Sequence, residues 1–342
     1  MRNSLWFILA VLIVAIVTPN ARATSIDEIY AFGDSLSDVG NDYAGSGGTI
    51  PGAPYVNGQF TNGNVWVQDL ASDLGLAPLT PSLAGGTNYA YGGGETGSSL
   101  FHTANASDLL GTSGQIAQFS AVHATADPNA LYTIWIGSND LLDIPTGATS
   151  SQIASDIGTA IANIDTAIGT LATEGAKNFL IVTVPDLGKT PGAIAGGPAV
   201  EAGASALSAS FDTTLVNGAG PIPSLSALGT ADGLNLSVLN TYSLVDSIFA
   251  NPGTYGFTDV TDPCLTGAVH YSGGTPCANP NQYLFWDALH PTAAADVLVA
   301  DAALATVTPT PEPSSLLLLG TGLVGLLALA ARSKRLAPSA SC

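Results

Sequence analysis

Residues 32–41, FGDSLSDVGN, place Ser35 directly after an apolar run at 29–32, inside a turn rich in aspartate and glycine. The run reads as a strand, and the carboxyl end of a strand is where open α/β sheets form their ligand crevices. Ser35 therefore reads as an exposed nucleophile, and a serine hydroxyl in that role needs a base beside it. Residues 287–291, DALHP, offer one: His290, with the carboxylate of Asp287 three residues upstream. The two distant pieces are expected to form one hydrolytic site.

Working outward, strand-length apolar runs recur at 131–136, 179–184 and 234–239, with helical patterns between them. The clearest helix carries Ile153, Ile157, Ile161, Ile164, Ile168 and Leu171 in steps of three and four, and Gly175 stops it. Further helices are expected at 65–74, 114–123, 200–217 and 292–307. Strands alternating with helices imply crossovers, hence a mainly parallel sheet covered on both faces. Two long irregular stretches rich in glycine and proline, 42–64 and 259–282, flank the serine and histidine pieces and are expected to wall the substrate cleft. No internal repeat and no composition break marks a second folded domain.

Hydrolysis by a serine also needs donors for the developing oxyanion. Residues 88–97, NYAYGGGETG, supply glycine N–H groups that a ligand can approach closely, and residues 137–140, GSND, supply a neutral amide, Asn139, just after a strand. In chain order, GDS at Ser35, NxAxxG ending at Gly93, GxND ending at Asp140 and DxxH ending at His290 resemble the four blocks of the GDSL, or SGNH, esterase and lipase family. The similarity is greatest to its longer, lipase-like branch of lecithinase/hemolysin type, which also carries segments like NGQFTNGNVW (57–66) and YLFWDALHPT (283–292). It covers residues 26–306.

The resemblance implies a three-layer α/β/α fold with a flavodoxin-like sheet, and a serine esterase that works through an acyl-enzyme without cofactor or metal. It makes Ser35 the nucleophile, His290 the general base and Asp287 its orienting acid. It builds the oxyanion hole from the N–H groups of Ser35 and Gly93 and the amide of Asn139. Gly92 and Gly94 flank Gly93, so the register among these three is open. The chain order Ser, Asp, His also occurs in α/β-hydrolases, but no G-x-S-x-G elbow is present here. Acyl transfer to an alcohol, deacetylation of a surface polysaccharide and a catalytically inactive surface scaffold are the competing readings.

The termini read as addresses. Residues 1–23 hold Arg2, an apolar run at 5–17 and an A-x-A site at 21–23, the pattern of a secretory signal peptide, with a membrane anchor as the alternative. Residues 308–342 run from TPTPEP through an apolar segment at 316–331 to Arg332, Lys334 and Arg335, and resemble the PEP-CTERM sorting tail of Gram-negative bacteria. That resemblance implies an exosortase-type processing partner and a transient inner-membrane contact. At 1.5 Å per residue the apolar segment is about 24 Å long, short of a ~30 Å hydrocarbon core; a permanent anchor is the alternative. The protein is therefore expected outside the cytoplasm, in the periplasm, at the cell surface or free in the medium.

Residues 24–307, the expected hydrolase domain, hold 25 acidic side chains against two basic ones, Lys177 and Lys189, a net charge of −23. Nothing there can neutralise phosphates, which excludes nucleic acid as a partner. No arginine is present to clamp a substrate carboxylate, so a neutral acyl ester fits better. Cys264 and Cys277, exported into an oxidising compartment, are expected to pair, a closure worth roughly 3 kcal/mol in the chain-entropy model.

Several residues invite functional readings and are given structural ones. Asp34 is expected to fix the turn, and Asp38, Asn41, Asp42, Asp140 and Asp143 to cap loops, since none fits a calcium-loop spacing. His102, His123 and His270 stand singly, without metal-site spacing. Trp66, Trp135 and Trp286 are assigned to the core, Trp286 being the best candidate for an acyl-chain contact because it adjoins Asp287.

Overall fold

The computed structural model describes residues 26–97 and 111–308; the signal-peptide and sorting-tail readings, and His102, lie outside them. Four parallel strands, β1 (Ile29–Gly33), β2 (Leu131–Trp135), β3 (Asn178–Val182) and β4 (Asn235–Leu239), lie side by side in that order. A further segment extends the ladder on the far side of β1. Ala31 N–H donates to Thr87 O at 3.1 Å, Tyr89 N–H to Ala31 O at 2.7 Å and Tyr91 N–H to Gly33 O at 3.2 Å, in a parallel bridge. Counting that segment, the second in sequence lies outside the first, which is the flavodoxin-like order expected.

The helices are α1 (Asn41–Gly45), α2 (Trp66–Asp73), α3 (Thr112–Val122), α4 (Ser138–Leu142), α5 (Ser150–Glu174), α6 (Pro191–Gly196), α7 (Pro198–Asn217), α8 (Leu225–Asp232), α9 (Thr241–Ala250) and α10 (Ala293–Val307). The five expected helices appear as α2, α3, α5, α7 and α10. Side chains alternate along a strand, so each strand feeds two cores. Tyr30, Phe32, Tyr132, Ile134, Phe179 and Ile181 pack under α3, α5 and α7, where the isoleucine stripe of α5 is buried. Ile29, Ala31, Leu131, Trp135, Leu180 and Val182 pack against α2 and α10 on the opposite face. The molecule thus has the three layers that the sequence pattern implies.

The four short helices α1, α4, α6 and α8 were not anticipated, being too brief to draw a periodic stripe, and neither was α9. In α9, however, Leu244, Val245, Ile248 and Phe249 follow a helical spacing, and the side chain of Asn240 caps the start by accepting from Ser243 N–H at 2.8 Å. The 259–282 stretch is less irregular than expected. It holds β5 (Asp259–Pro263), paired with β8 (Tyr283–Phe285), and the small hairpin β6 (Leu265–Thr266) and β7 (Thr275–Pro276), beside the Cys264–Cys277 disulfide.

Candidate active site

Ser35 lies two residues beyond β1. Strand and turn meet tightly there, because a Cβ on Gly33 would sit 2.5 Å from Trp135 O. Gln115 of α3, fully buried, accepts from Gly33 N–H at 2.9 Å and donates to Gly33 O at 2.7 Å, clamping the end of the strand. Asp34 then shapes the turn: its side chain accepts from Leu36 N–H at 2.9 Å and its carbonyl from the N–H groups of Ser37 and Asp38, each at 3.0 Å. Asp38 closes it, accepting from the N–H groups of Gly40, Asn41 and Asp42 at 2.6–3.1 Å and from Gly92 at 3.3 Å. The acidic residues of FGDSLSDVGN thus cap backbone, as expected.

Polar side chains bring the distant sequence blocks together. Asn88 donates to Ser37 O at 2.7 Å, and Asn41 donates to the carbonyls of Asn88 and Ala90, both at 2.9 Å, so the glycine segment is tied to the serine turn. Trp66 donates its indole N–H to Ser37 Oγ at 3.1 Å. The same stretch reaches the histidine block: Thr61 donates to Pro291 O at 3.0 Å, and Asn62 accepts from Ala293 N–H at 2.8 Å. NGQFTNGNVW is thus a strap joining the serine and histidine blocks.

The geometry that results is a hydrogen-bonded line. Ser35 Oγ lies 2.8 Å from His290 Nε2, and His290 Nδ1 lies 2.8 Å from Asp287 Oδ2. A donor Nδ1–H facing the carboxylate leaves Nε2 as the acceptor for the serine hydroxyl. Asp287 Oδ1 also accepts from the backbone N–H groups of Leu289 at 2.8 Å and His290 at 2.7 Å, which sets the turn that carries both side chains. Tyr55 donates its hydroxyl to Asp287 Oδ2 at 2.7 Å. Burial pushes the Asp287 carboxyl up, but the His290 imidazole and the hydrogen bonds from His290 and Tyr55 outweigh it and hold the group below the usual carboxylate range. Burial, and then the Asp287 charge, push the Tyr55 phenol upward, so it stays a donor.

Gly93 and Asn139 come from two further blocks. Gly92 N–H faces Asp38 and Gly94 N–H donates to Tyr91 O at 3.1 Å, whereas Gly93, at φ 72°, adopts a backbone conformation that favours glycine. The Asn139 amide donates to Gly94 O at 2.9 Å, which fixes the side chain and leaves its second N–H available. Asp140 anchors the neighbouring stretch by accepting from the Thr96 hydroxyl at 2.6 Å.

One expectation is corrected. A cleft opens at Ser35, Asn139 and His290, and no residue of 42–64 or 259–282 lines it. Its walls come from the loop after β3, from α9 and from α10. The long loops lie behind the Ser35–His290–Asp287 line instead: Phe60 packs on the His290 ring with centroids 5.3 Å apart, and Tyr271 meets it edge-on at 5.6 Å. Trp286 lies in the core, as assigned, and does not line the cleft. It is 2% exposed and packs with Tyr55, Cys264 and Leu265, while Trp135 is the tryptophan that reaches the cleft. Tyr55 and Gln115 are the site residues that the sequence reading missed. Their partners are far away in the chain, and neither lies in one of the four blocks. Among the described residues no cluster of metal-ligating side chains is present; His123 instead stacks on Phe119 with centroids 4.4 Å apart.

The chain is 26% identical over 287 residues to the thermolabile hemolysin of Vibrio parahaemolyticus, an alignment covering 81% of this chain and 62% of that one, so it spans less than two thirds of that relative. It is 27% identical over 350 residues to a GDSL esterase/lipase of Arabidopsis thaliana, covering 86% and 92%. It is 31% identical over 191 residues to the phosphatidylcholine-sterol acyltransferase of Aeromonas hydrophila, covering 55% and 53%. Among solved structures, a carbohydrate acetylesterase of Sinorhizobium meliloti aligns with a TM-score of 0.40 at 18% identity, covering 81% of this chain and 96% of that one. Residues 309–335 match the PEP-CTERM protein-sorting motif. Residues 29–303 match the GDSL-like lipase/acylhydrolase model, and the chain belongs to that family.

Proposed function

We propose that this protein is an exported serine esterase or lipase that hydrolyses neutral carboxylic esters through an acyl-enzyme, its catalytic domain lying within residues 24–307. The observation that carries this reading is the line from Ser35 Oγ through His290 to Asp287, with both steps at 2.8 Å. Ser35 Oγ attacks the ester carbonyl carbon as its proton passes to His290 Nε2, and the carbonyl π pair moves onto oxygen. The Ser35 and Gly93 N–H groups and the Asn139 amide take up that charge. Collapse breaks the bond to the alcohol oxygen, which leaves with the proton from Nε2. Water then attacks the acyl carbon, giving a proton to Nε2, and Ser35 departs with that proton as the acid is released. Asp287 holds the imidazole in place and stabilises its charged form.

Acyl transfer is the second reading. The similarity to an acyltransferase favours it, since an alcohol can intercept an acyl-enzyme in place of water. The sorting motif supports export, exosortase processing and transient contact with the inner membrane. The test is labelling and turnover. A short-chain fluorophosphonate should label the protein at Ser35 and stop cleavage of p-nitrophenyl esters; a Ser35→Ala protein that retains full esterase activity defeats the proposal. Product analysis with glycerol or a sterol as competing acceptor separates hydrolysis from transfer.

A further inference from the structure

We infer that Tyr271 is a positioning residue for His290 and that the Cys264–Cys277 disulfide holds it in place, so that turnover depends on the disulfide; this rests on the ester-hydrolase reading of Ser35. The hairpin of β6 and β7 touches the site at both of its ends. At its base, beside the disulfide, Cys264 N–H donates to Phe285 O at 3.0 Å and Leu265 N–H to Trp286 O at 2.6 Å, and Trp286 immediately precedes Asp287. At its tip, Val269 and Ser272 exchange N–H···O bonds of 2.9 and 3.1 Å across His270 and Tyr271. The Tyr271 ring meets the His290 ring edge-on at 5.6 Å and the Phe60 ring at 5.0 Å, while Phe60 lies on the imidazole at 5.3 Å. Two rings therefore back the imidazole, and one of them comes from this hairpin.

The backbone beneath Tyr271 is an unfavourable one for its side chain. His270 and Tyr271 have φ of 47° and 55°, a left-handed pair that two-residue hairpin turns ordinarily fill with asparagine and glycine. The contact of the ring with the imidazole offsets that local cost. From 266 to 276 every residue except Ala268 and Tyr271 is exposed, and each strand is two residues long, so the hairpin is marginal by itself. Gly52 N–H donates to Tyr271 O and Gly273 N–H to Ala53 O, both at 2.8 Å, which fastens the tip; the disulfide closes the base. The same disulfide packs with both tyrosines behind the site, in a cluster of Tyr55, Cys264, Leu265 and Trp286 against which Tyr271 and Cys277 rest. Opening the bridge frees the strand that ends in Cys277, and Tyr271 loses its fixed seat on His290.

The test is a double-mutant cycle on kcat for p-nitrophenyl butyrate, in a full-length Cys342→Ser parent whose only cysteines are Cys264 and Cys277. Tyr271→Ala should lower kcat by roughly tenfold to a hundredfold, the range for a reacting group displaced by up to about 1 Å, with KM changed by less than about twofold. Tyr271→Phe, which keeps the ring, should retain kcat. Cys264→Ala with Cys277→Ala should cost about as much as Tyr271→Ala, and the triple variant no more than either, since both changes undo one contact. Dithiothreitol should lower kcat in the parent without any substitution: two electrons and two protons pass to the cysteine sulfurs as the dithiol closes to its own disulfide. Oxidised glutathione should then restore it, with far-UV circular dichroism unchanged throughout. Additive losses in the cycle, full kcat in Tyr271→Ala, or full kcat in parent protein whose two thiols are shown to be free would each overturn the inference. So would a far-UV signal lost on reduction, which would make the disulfide a requirement of folding instead. In each of these cases fluorophosphonate labelling of Ser35 in the oxidised parent leaves the esterase reading standing, whereas a parent with neither labelling nor ester turnover overturns both.

Discussion

The two sides of His290 are built from opposite materials. On one side lie the long loops, whose Tyr55, Phe60 and Tyr271 press against the imidazole and its carboxylate. On the other, α9, α10 and β8 leave a hydrocarbon-walled cleft. On the proposed esterase reading, catalytic geometry and substrate choice fall to separate parts of the chain, and substitutions should sort accordingly. Those behind the imidazole should change turnover for every ester alike, and those in the cleft should change the ranking among esters. The largest effect belongs to the catalytic line itself. Ser35→Ala or His290→Ala should reduce kcat by roughly five to six orders of magnitude and Asp287→Asn by about four, uniformly across acyl lengths, in steady-state assays with p-nitrophenyl esters. A loss that depended strongly on chain length would break the division.

Tyr55 sharpens the contrast at smaller magnitude. Its hydroxyl shares Asp287 Oδ2 with the imidazole, so it both positions the carboxylate and draws off part of its charge. Tyr55→Phe should cost about tenfold in kcat/KM, the order expected for one hydrogen bond to a charged group, with the acyl-length preference unchanged. The acid limb of the kcat/KM profile should also move to higher pH, because a carboxylate relieved of this donor stabilises the charged imidazole more strongly. A purely structural role would lower activity without moving that limb, and an unmoved limb would count against Tyr55 as a positioning residue.

This division also explains which parts of the molecule the sequence could disclose. Ser35, Asp287 and His290, which the structure brings into one hydrogen-bonded line, sit in short local sequence patterns, and β1 to β3 are legible because fully buried parallel strands are largely apolar runs. The isoleucine stripe of α5 has the same local character. Tyr55 was illegible because its partner is 232 residues away and nothing near it in the chain distinguishes a tyrosine that donates to a carboxylate from one that fills a core. Assigning the cleft walls to the long loops failed for a related reason. Glycine and proline content identifies irregular backbone, but the side of His290 on which that backbone packs is decided by tertiary contacts such as Thr61 to Pro291 and Asn62 to Ala293. The cleft wall that matters, α9, did carry a signal in Asn240 and its helically spaced apolar residues.

The smallest effect, and one that separates the two sides by pH, comes from buried carboxyls. Asp34 lines the cleft at its catalytic end with Oδ2 unpartnered, and burial pushes it up to about 7 against the backbone hydrogen bond from Leu36. Burial likewise raises Asp38 to about 6, and raises Asp42, where the nearby Asp38 charge adds to the effect. Asp287 behind the imidazole is shifted the opposite way. For the raised group, the native state binds more protons than the unfolded chain between the ordinary value near 4 and the native one, so stability falls as pH rises through that window. Stabilisation from Asp287 is complete above its ordinary value and is lost only as pH falls through a native value lower still, outside the same window. Between pH 8 and pH 5 the raised carboxyls should therefore dominate. At about 2–4 °C per kcal/mol for a domain of this size, thermal unfolding followed by circular dichroism should occur several degrees higher at pH 5. Asp34→Asn, which keeps an acceptor for Leu36 but cannot ionise, should shrink that difference, whereas Asp287→Asn should leave it in place. A Tm equal or lower at pH 5 would show that these carboxyls are already relieved of their burial in the folded protein.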